Sequence, residues 1–199
     1  MILNSKTKRD TAARRSTKRR LIMIEIKGDL FKMECEAFCV TTNGFVKKNG
    51  ECVMGRGCAK QAATYWPELP KRLGGLIGER GNNVHLLYTI GPGQLYNQNK
   101  KYILSFPVKP VFAIYDGTNC VDHMKSRFNI GDIVPGWAAV ADMDIIRRSA
   151  GQLRDIADTF GWTKVVIPRP GCGAGELSWN DVRPQLNHIL DNRFYSVGG

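Results

Sequence analysis

The sequence predicts an α/β protein with a mostly parallel sheet covered by helices on both faces. Three observations carry this. Short apolar, β-branched runs alternate with stretches of helical period along the chain. Two of the runs end in glycine-rich segments that lead into predicted helices, the arrangement of strand–loop–helix units. At 199 residues, 43% hydrophobic and 24% charged, the chain suits one globular domain with a sizeable core.

The elements follow in order. Leu21 to Lys27 is apolar and β-branched, and predicts a strand that stops at Gly28-Asp29. Ala37 to Thr42 predicts a second strand, which feeds the first glycine-rich segment. Ala59 to Tyr65 predicts a short helix after Gly57. Pro67 to Gly78 predicts another, broken at Gly74-Gly75. Val84 to Ile90 and Tyr102 to Phe106 read as strands, joined by a turn at Gly91-Pro92-Gly93 whose loop runs on towards Lys100. Residues 110–140 mix Gly, Pro, Asp and aromatics without a period, as an insertion or lid would.

Asp142 to Phe160 carries the clearest helical pattern. Met143, Ile146, Ala150, Leu153, Ala157 and Phe160 recur every three or four residues, and Gly161 is placed to end the helix. Lys164 to Ile167 has the character of a buried strand. Asn180 or Asp181 is expected to cap a helix reaching about Leu190, which would put Pro184 in the first turn, where no backbone N–H is lost. Phe194 to Val197 closes the chain as a last strand.

Composition narrows the partners. The net charge is +11, and residues 1–22 hold eight Lys and Arg against Asp10 alone. This arm has few apolar residues and is expected to be disordered in isolation. Two readings stand for it: weak, non-specific contact with nucleic-acid phosphates, or a leader without function. No apolar run approaches the roughly 20 residues that span a bilayer. The six cysteines, Cys35, Cys39, Cys52, Cys58, Cys120 and Cys172, form no C-x-x-C pair, so reduced thiols in a cytoplasm are expected, with no disulfide and no zinc. His85, His123 and His188 share no metal-ligand spacing. No metal or cofactor is implied, and a monomer is expected.

The two glycine-rich segments are the informative ones. The first runs Val40-Thr41-Thr42-Asn43-Gly44 and continues to Val53-Met54-Gly55-Arg56-Gly57. The second is Pro168-Arg169-Pro170-Gly171-Cys172-Gly173-Ala174-Gly175-Glu176-Leu177-Ser178-Trp179. Glycine lets backbone approach a ligand closely, and free N–H groups at a helix start favour anions. Ligands of open α/β sheets sit beyond the carboxyl ends of the strands. Two such loops at neighbouring strand ends could clamp a diphosphate.

The order Gly28-Asp29-Leu30-Phe31, Val40-x-x-Asn43, Met54-Gly55-Arg56-Gly57, Gly171-Cys172-Gly173-Ala174-Gly175 resembles a macro domain, over most of residues 23–197 outside 110–140. The resemblance implies a three-layer α/β/α fold around a mixed sheet, and ADP-ribose or an ADP-ribosylated substrate as the partner. Its candidate ligand-binding residues are Gly28, Asp29, Leu30, Asn43, Met54, Gly55, Arg56, Gly57, Pro170, Gly171, Cys172, Gly173, Ala174 and Gly175. Asp29 would accept from the adenine amino group, Asn43 would hold a distal-ribose hydroxyl, and the two glycine loops would wrap the diphosphate. Asp29 and Asn43 also suit turns that they close with their own side chains.

Ser105-Phe106-Pro107-Val108-Lys109, together with Pro168-Arg169-Pro170-Gly171-Cys172-Gly173 and Leu177-x-Trp179, is similar to one branch: the terminal ADP-ribose protein glycohydrolase and the DNA ADP-ribosyl glycohydrolase antitoxin. The resemblance makes Lys109 the catalytic residue, attacking or polarising the anomeric carbon of the distal ribose. Such a lysine must be partly neutral. In the protein-directed enzyme an acidic residue assists. Its place here is Gly175, as in the DNA-directed enzyme, and the adjacent Glu176 is the candidate base. The basic and aromatic residues that follow the lysine in that branch are replaced here by Pro110 and the 110–140 stretch. Hydrolysis of an ADP-ribosyl linkage is expected. A non-catalytic ADP-ribose binder and an ADP-ribose 1″-phosphate phosphatase are the alternatives. Cys172 lies in an anion-favouring loop, which lowers a thiol pKa, but it also suits a small apolar filler.

Overall fold

The structure, a computed structural model, describes residues 22–91 and 100–198. The chain runs β1 (Ile24–Lys27), β2 (Ala37–Thr42), α1 (Gly57–Tyr65), α2 (Leu69–Arg80), β3 (Leu86–Ile90), β4 (Lys101–Pro107), β5 (Phe112–Ile114), β6 (Ile133–Pro135), α3 (Met143–Phe160), β7 (Val165–Pro168), α4 (Trp179–Asn187) and β8 (Phe194–Gly198). A 3-10 helix, Asp122–Arg127, lies between β5 and β6. All but residue 22 of the basic arm, and the loop expected after Gly91, fall outside the described residues.

Alternation along the central strands sets the layers. In β2, Ala37 and Cys39 face one core, while Phe38 and Val40 face the other. In β7, Val165 and Ile167 oppose Val166 in the same way. A strand buried on both faces must be apolar at every position, which is why these runs read as continuous rather than alternating. α3 and α4 cover the first face through Ile146, Ala150, Leu153, Ala157, Val182 and Leu186. α1 and α2 cover the second through Ala59, Ala62, Leu69, Leu73 and Ile77. The six strands lie in the order β1-β8-β7-β2-β4-β3. All neighbours are parallel except β3, which runs antiparallel to β4 at one edge. The molecule is thus a three-layer α/β/α sandwich on a mixed, mostly parallel sheet.

Two local expectations are corrected. α2 is continuous through Gly74-Gly75. Gly74 is a packing residue, since a Cβ there would lie 2.0 Å from the Gly50 carbonyl oxygen. α4 starts earlier than expected: the Ser178 hydroxyl accepts from the Asn180 amide at 3.2 Å, so Ser178 is the cap and neither Asn180 nor Asp181 is. Pro184 therefore stands inside the helix, on an exposed face where the carbonyl it leaves unpaired, that of Asn180, is also at the surface. Residues 110–140, read from the sequence as an insertion or lid, carry regular structure. β5 and β6 pair antiparallel, and Tyr115, Cys120, Val121, Met124, Val134, Ala138 and Ala139 bury a small core of their own.

No helix among the described residues is long and apolar enough to cross a membrane.

Candidate functional site

Three chain segments converge beyond the carboxyl ends of β2, β4 and β7 and enclose a cavity of about 540 Å³. The first segment is the approach to α1. The amides of Gly57, Cys58 and Ala59 have no intrahelical acceptor, and Arg56 at the cap position offers no side-chain bond to them. That end of α1 therefore presents bare N–H groups and the positive end of the helix dipole.

The second segment is the loop after β7. Its fold is set by Leu177 N donating to Gly171 O at 3.0 Å and Glu176 N to Gly173 O at 3.0 Å. Gly171 has φ +76°, and a Cβ on Gly175 would lie 2.5 Å from Gly171 O and 2.7 Å from the Ala141 methyl. Side chains at both positions are excluded by backbone geometry. Among the described residues, the amides of Gly173, Ala174 and Gly175 donate to no backbone acceptor. The two glycine-rich segments therefore line one cavity, each with unsatisfied N–H groups.

The third segment carries Lys109, just past β4. Its backbone is pinned on both sides. Val108 N donates to Thr42 O at 2.9 Å, Asp142 N to Val108 O at 2.8 Å, and the Asn82 side-chain amide to Lys109 O at 2.9 Å. Asp142 in turn caps α3, its carboxylate accepting from Asp144 N and Ile145 N. Lys109 is 6% exposed. Its Nζ donates to Ala174 O at 2.7 Å, inside the second glycine loop, and to Trp137 O at 3.4 Å. Burial lowers its pKa to about 8; the Glu176 charge opposes this and the Arg56 charge adds to it.

Of the candidate site residues, the cavity brings together Asn43, Gly55, Arg56, Gly57, Lys109, Gly171, Gly173, Ala174 and Gly175. The Asn43 side chain is already engaged. It donates to Val53 O at 2.8 Å and accepts from Phe45 N at 2.9 Å, so it ties the first glycine segment together.

The others lie outside the lining. Gly28, Asp29 and Leu30 follow β1. Asp29 closes a turn onto Phe31 N at 3.0 Å and pairs with Lys32, while Leu30 is buried in the core with Met54. Pro170 is buried behind the loop. The Cys172 thiol donates to Pro170 O, and burial pushes it up to about 11, the reverse of the lowering expected from its loop. Glu176 turns away, and both of its carboxylate oxygens accept from Asp122 N at 3.1 Å, at the start of the 3-10 helix.

The cavity also recruits residues that the sequence did not single out as contacts. Residues 110–140 supply a wall made of His123, Met124, Arg127 and Trp137. Arg169 lines the opposite side. Lys109, Arg56, Arg127 and Arg169 are cations on the lining, and among the described residues no carboxylate lines it. Such a site favours an anion with several phosphate oxygens. His85, by contrast, is structural: its ring bonds Gly81 O at 2.9 Å.

No protein-family model and no curated protein matches the sequence. Among solved structures, the chain is similar to the macrodomain of Mycobacterium tuberculosis DarG, with a TM-score of 0.60 and 19% identity over 89% of this chain and 98% of that one. The Thermus aquaticus DarG macrodomain gives a TM-score of 0.58 and 19% identity over the same shares. Thermosipho africanus DarTG in complex with ADP-ribose gives 0.59 and 17% over 87% of this chain and 40% of that one. The fold of this chain is that of a macrodomain. The solved structures that share it include macrodomains of DarG.

Proposed function

We propose that this chain binds ADP-ribose and hydrolyses an ADP-ribosyl linkage, with Lys109 acting at the distal ribose. One observation carries the reading. A buried amine with a lowered pKa lines a cationic cavity, together with two segments whose backbone amides have no backbone acceptor. The amides and Arg56 hold the diphosphate. Asp29, at the end of β1, receives the adenine amino group. The distal ribose then lies beside β4, where the neutral Lys109 amine attacks the anomeric carbon as the bond to the acceptor breaks; the acceptor leaves with the proton lost from the nitrogen, and water then cleaves the lysine adduct, releasing ADP-ribose and restoring the amine. The bound ADP-ribose in the Thermosipho africanus DarTG structure is in keeping with this ligand.

The test compares wild type with Lys109→Ala on ADP-ribosylated DNA, ADP-ribosylated protein and ADP-ribose 1″-phosphate. Release of ADP-ribose by wild type, lost in the variant, is the expected outcome. Equal, slow release by both sinks the lysine mechanism. Phosphate release from ADP-ribose 1″-phosphate alone marks a phosphatase.

A second reading, a binder without turnover, is favoured by the Glu176 carboxylate, which is held by the Asp122 amide rather than offered to a water. It is distinguished by calorimetry: ADP-ribose binding that survives Lys109→Ala, with no release from any of the three substrates.

A further inference from the structure

Lys109 marks the distal-ribose end of the cavity, and the adenosine side carries a cation of its own. We propose that Arg169 contacts the ligand directly, holding the adenosine-side phosphate of the diphosphate, and that Glu25, Trp179 and Gly198 clamp it in place. The assignment rests on the ADP-ribose reading above.

Position comes first. Arg169 follows β7 directly and lines the cavity together with Pro168 and Gly171. In the sheet, β7 and β4 flank β2, which leads to the bare amides of α1. Neighbouring strands are about 4.8 Å apart, so the ends bearing Arg169 and Lys109 are separated by roughly 10 Å. A ligand with its distal ribose at Lys109 runs across β2 with its phosphates and continues towards β7, β8 and β1. Arg169 then meets the phosphate on the adenosine side, before the chain reaches Asp29 beyond β1.

The clamp comes second. The guanidinium carbon sits 5.2 Å from the centre of the Trp179 ring. Nη2 is 3.4 Å from Glu25 Oε2, to which the Trp179 indole N–H also donates at 2.9 Å. Arg183 holds the other Glu25 oxygen at 3.0 Å. Gly198 packs so closely that a Cβ there would lie 2.6 Å from the guanidinium carbon. Three elements, β1, α4 and β8, thus converge on one side chain. Glu25 is shared by two arginines and an indole, so it orients Arg169 without cancelling its charge. The side chain remains 39% exposed, and its buried Nε has no hydrogen-bond partner. A fixed, planar fork loses little entropy on binding a phosphate.

Calorimetry with ADP-ribose and with AMP tests the assignment, because AMP carries only the adenosine-side phosphate. Arg169→Gln is expected to weaken both ligands by the same factor, about tenfold or more. In 31P spectra of bound ADP-ribose, the adenosine-side resonance moves in the variant and the other stays, a result that loss of packing alone would not give. Glu25→Gln, which loosens the clamp, gives a smaller loss. Arg169→Lys keeps the charge and the stem but not the fork, recovers part of the affinity, and carries the same comparisons if Arg169→Gln does not fold. Unchanged ADP-ribose affinity in Arg169→Gln overturns the assignment and leaves the ADP-ribose reading standing. A loss for ADP-ribose without a loss for AMP overturns it as well. A wild-type chain that binds neither ligand overturns the ADP-ribose reading and the assignment together.

Discussion

Lys109 shows how burial sets chemistry at a single residue. Only the neutral amine is a nucleophile. At a pKa of about 8, roughly a tenth of it is neutral at pH 7, against about 0.03% for an unperturbed lysine near 10.5. Burial therefore raises the reactive fraction about 300-fold. The single-turnover rate should climb about tenfold per pH unit and level off near pH 8; a rate that is flat from pH 6 to 8 argues against the lysine. Glu176 supplies the charge that opposes this shift. In Glu176→Gln the levelling point should move to lower pH with the plateau rate kept, whereas a collapse of the rate at every pH would make Glu176 a general base. The same burial carries a cost. Between pH 8 and 10.5 the unfolded chain binds more protons at this site than the folded one, so stability rises with pH across that window. Lys109→Met removes the penalty. At pH 7 it should raise Tm by several degrees while abolishing turnover, and the pH dependence in that window should vanish; a lowered Tm would mean that the bonds to Ala174 and Trp137 outweigh desolvation.

At the scale of an element, two glycines with different duties make opposite demands on intuition. Ala is preferred over Gly in a helix interior by about 1 kcal/mol, so Gly74→Ala looks stabilising. The added Cβ would meet the Gly50 carbonyl oxygen at 2.0 Å, and backbone cannot swing aside as a side chain can. Overpacking of this kind costs about 1–3 kcal/mol, which exceeds the propensity gain. Gly74→Ala should lower Tm, whereas Gly78→Ala in the same helix, where a Cβ meets nothing within 4 Å, should not. Gly175→Ala meets Gly171 O and Ala141 and should distort the loop that accepts from Lys109, so ADP-ribose affinity falls along with stability.

These cases also show what a sequence can disclose about elements. The period of Met143 to Phe160, with Asp142 and Gly161 at its ends, reads correctly because capping and amphipathicity are local. Gly74-Gly75 misleads because its reason is a contact with Gly50, far along the chain. Ser178 is missed as a cap because Asn180 and Asp181 offer equally good cap chemistry two and three residues later, and only the end of the loop at Leu177 decides between them.

For the whole molecule, the sheet and the two glycine segments are legible because each is written in consecutive residues. The rest of the cavity is not. His123, Met124, Arg127 and Trp137 reach it only because residues 110–140 fold on a small core of their own, and Arg169 only because β8, and β1 beyond it, flank β7. Neither relation has a local signature. The 110–140 segment is also separable in a physical sense. Its neck is narrow: Gly136 N donates to Val111 O at 2.8 Å, and a Cβ on Gly136 would lie 1.9 Å from Pro110 O. A short Gly-Gly link in place of residues 111–135 can therefore join Pro110 to Gly136 while keeping Trp137 and the Asp142 cap. The shortened chain loses the Asp122 amide, which releases Glu176, and loses the His123, Met124 and Arg127 part of the wall beside Lys109. Better hydration and a freer neighbouring carboxylate both favour the ammonium form, so the Lys109 pKa rises from about 8 towards the ordinary 10.5. The levelling point of the rate should move up by at least one pH unit, with ADP-ribose binding weakened by the loss of Arg127 but retained, because the amides, Arg56 and Arg169 remain. If the shortened chain kept its levelling point near pH 8, the wall would have no part in tuning the lysine, and the two glycine segments alone would account for its burial.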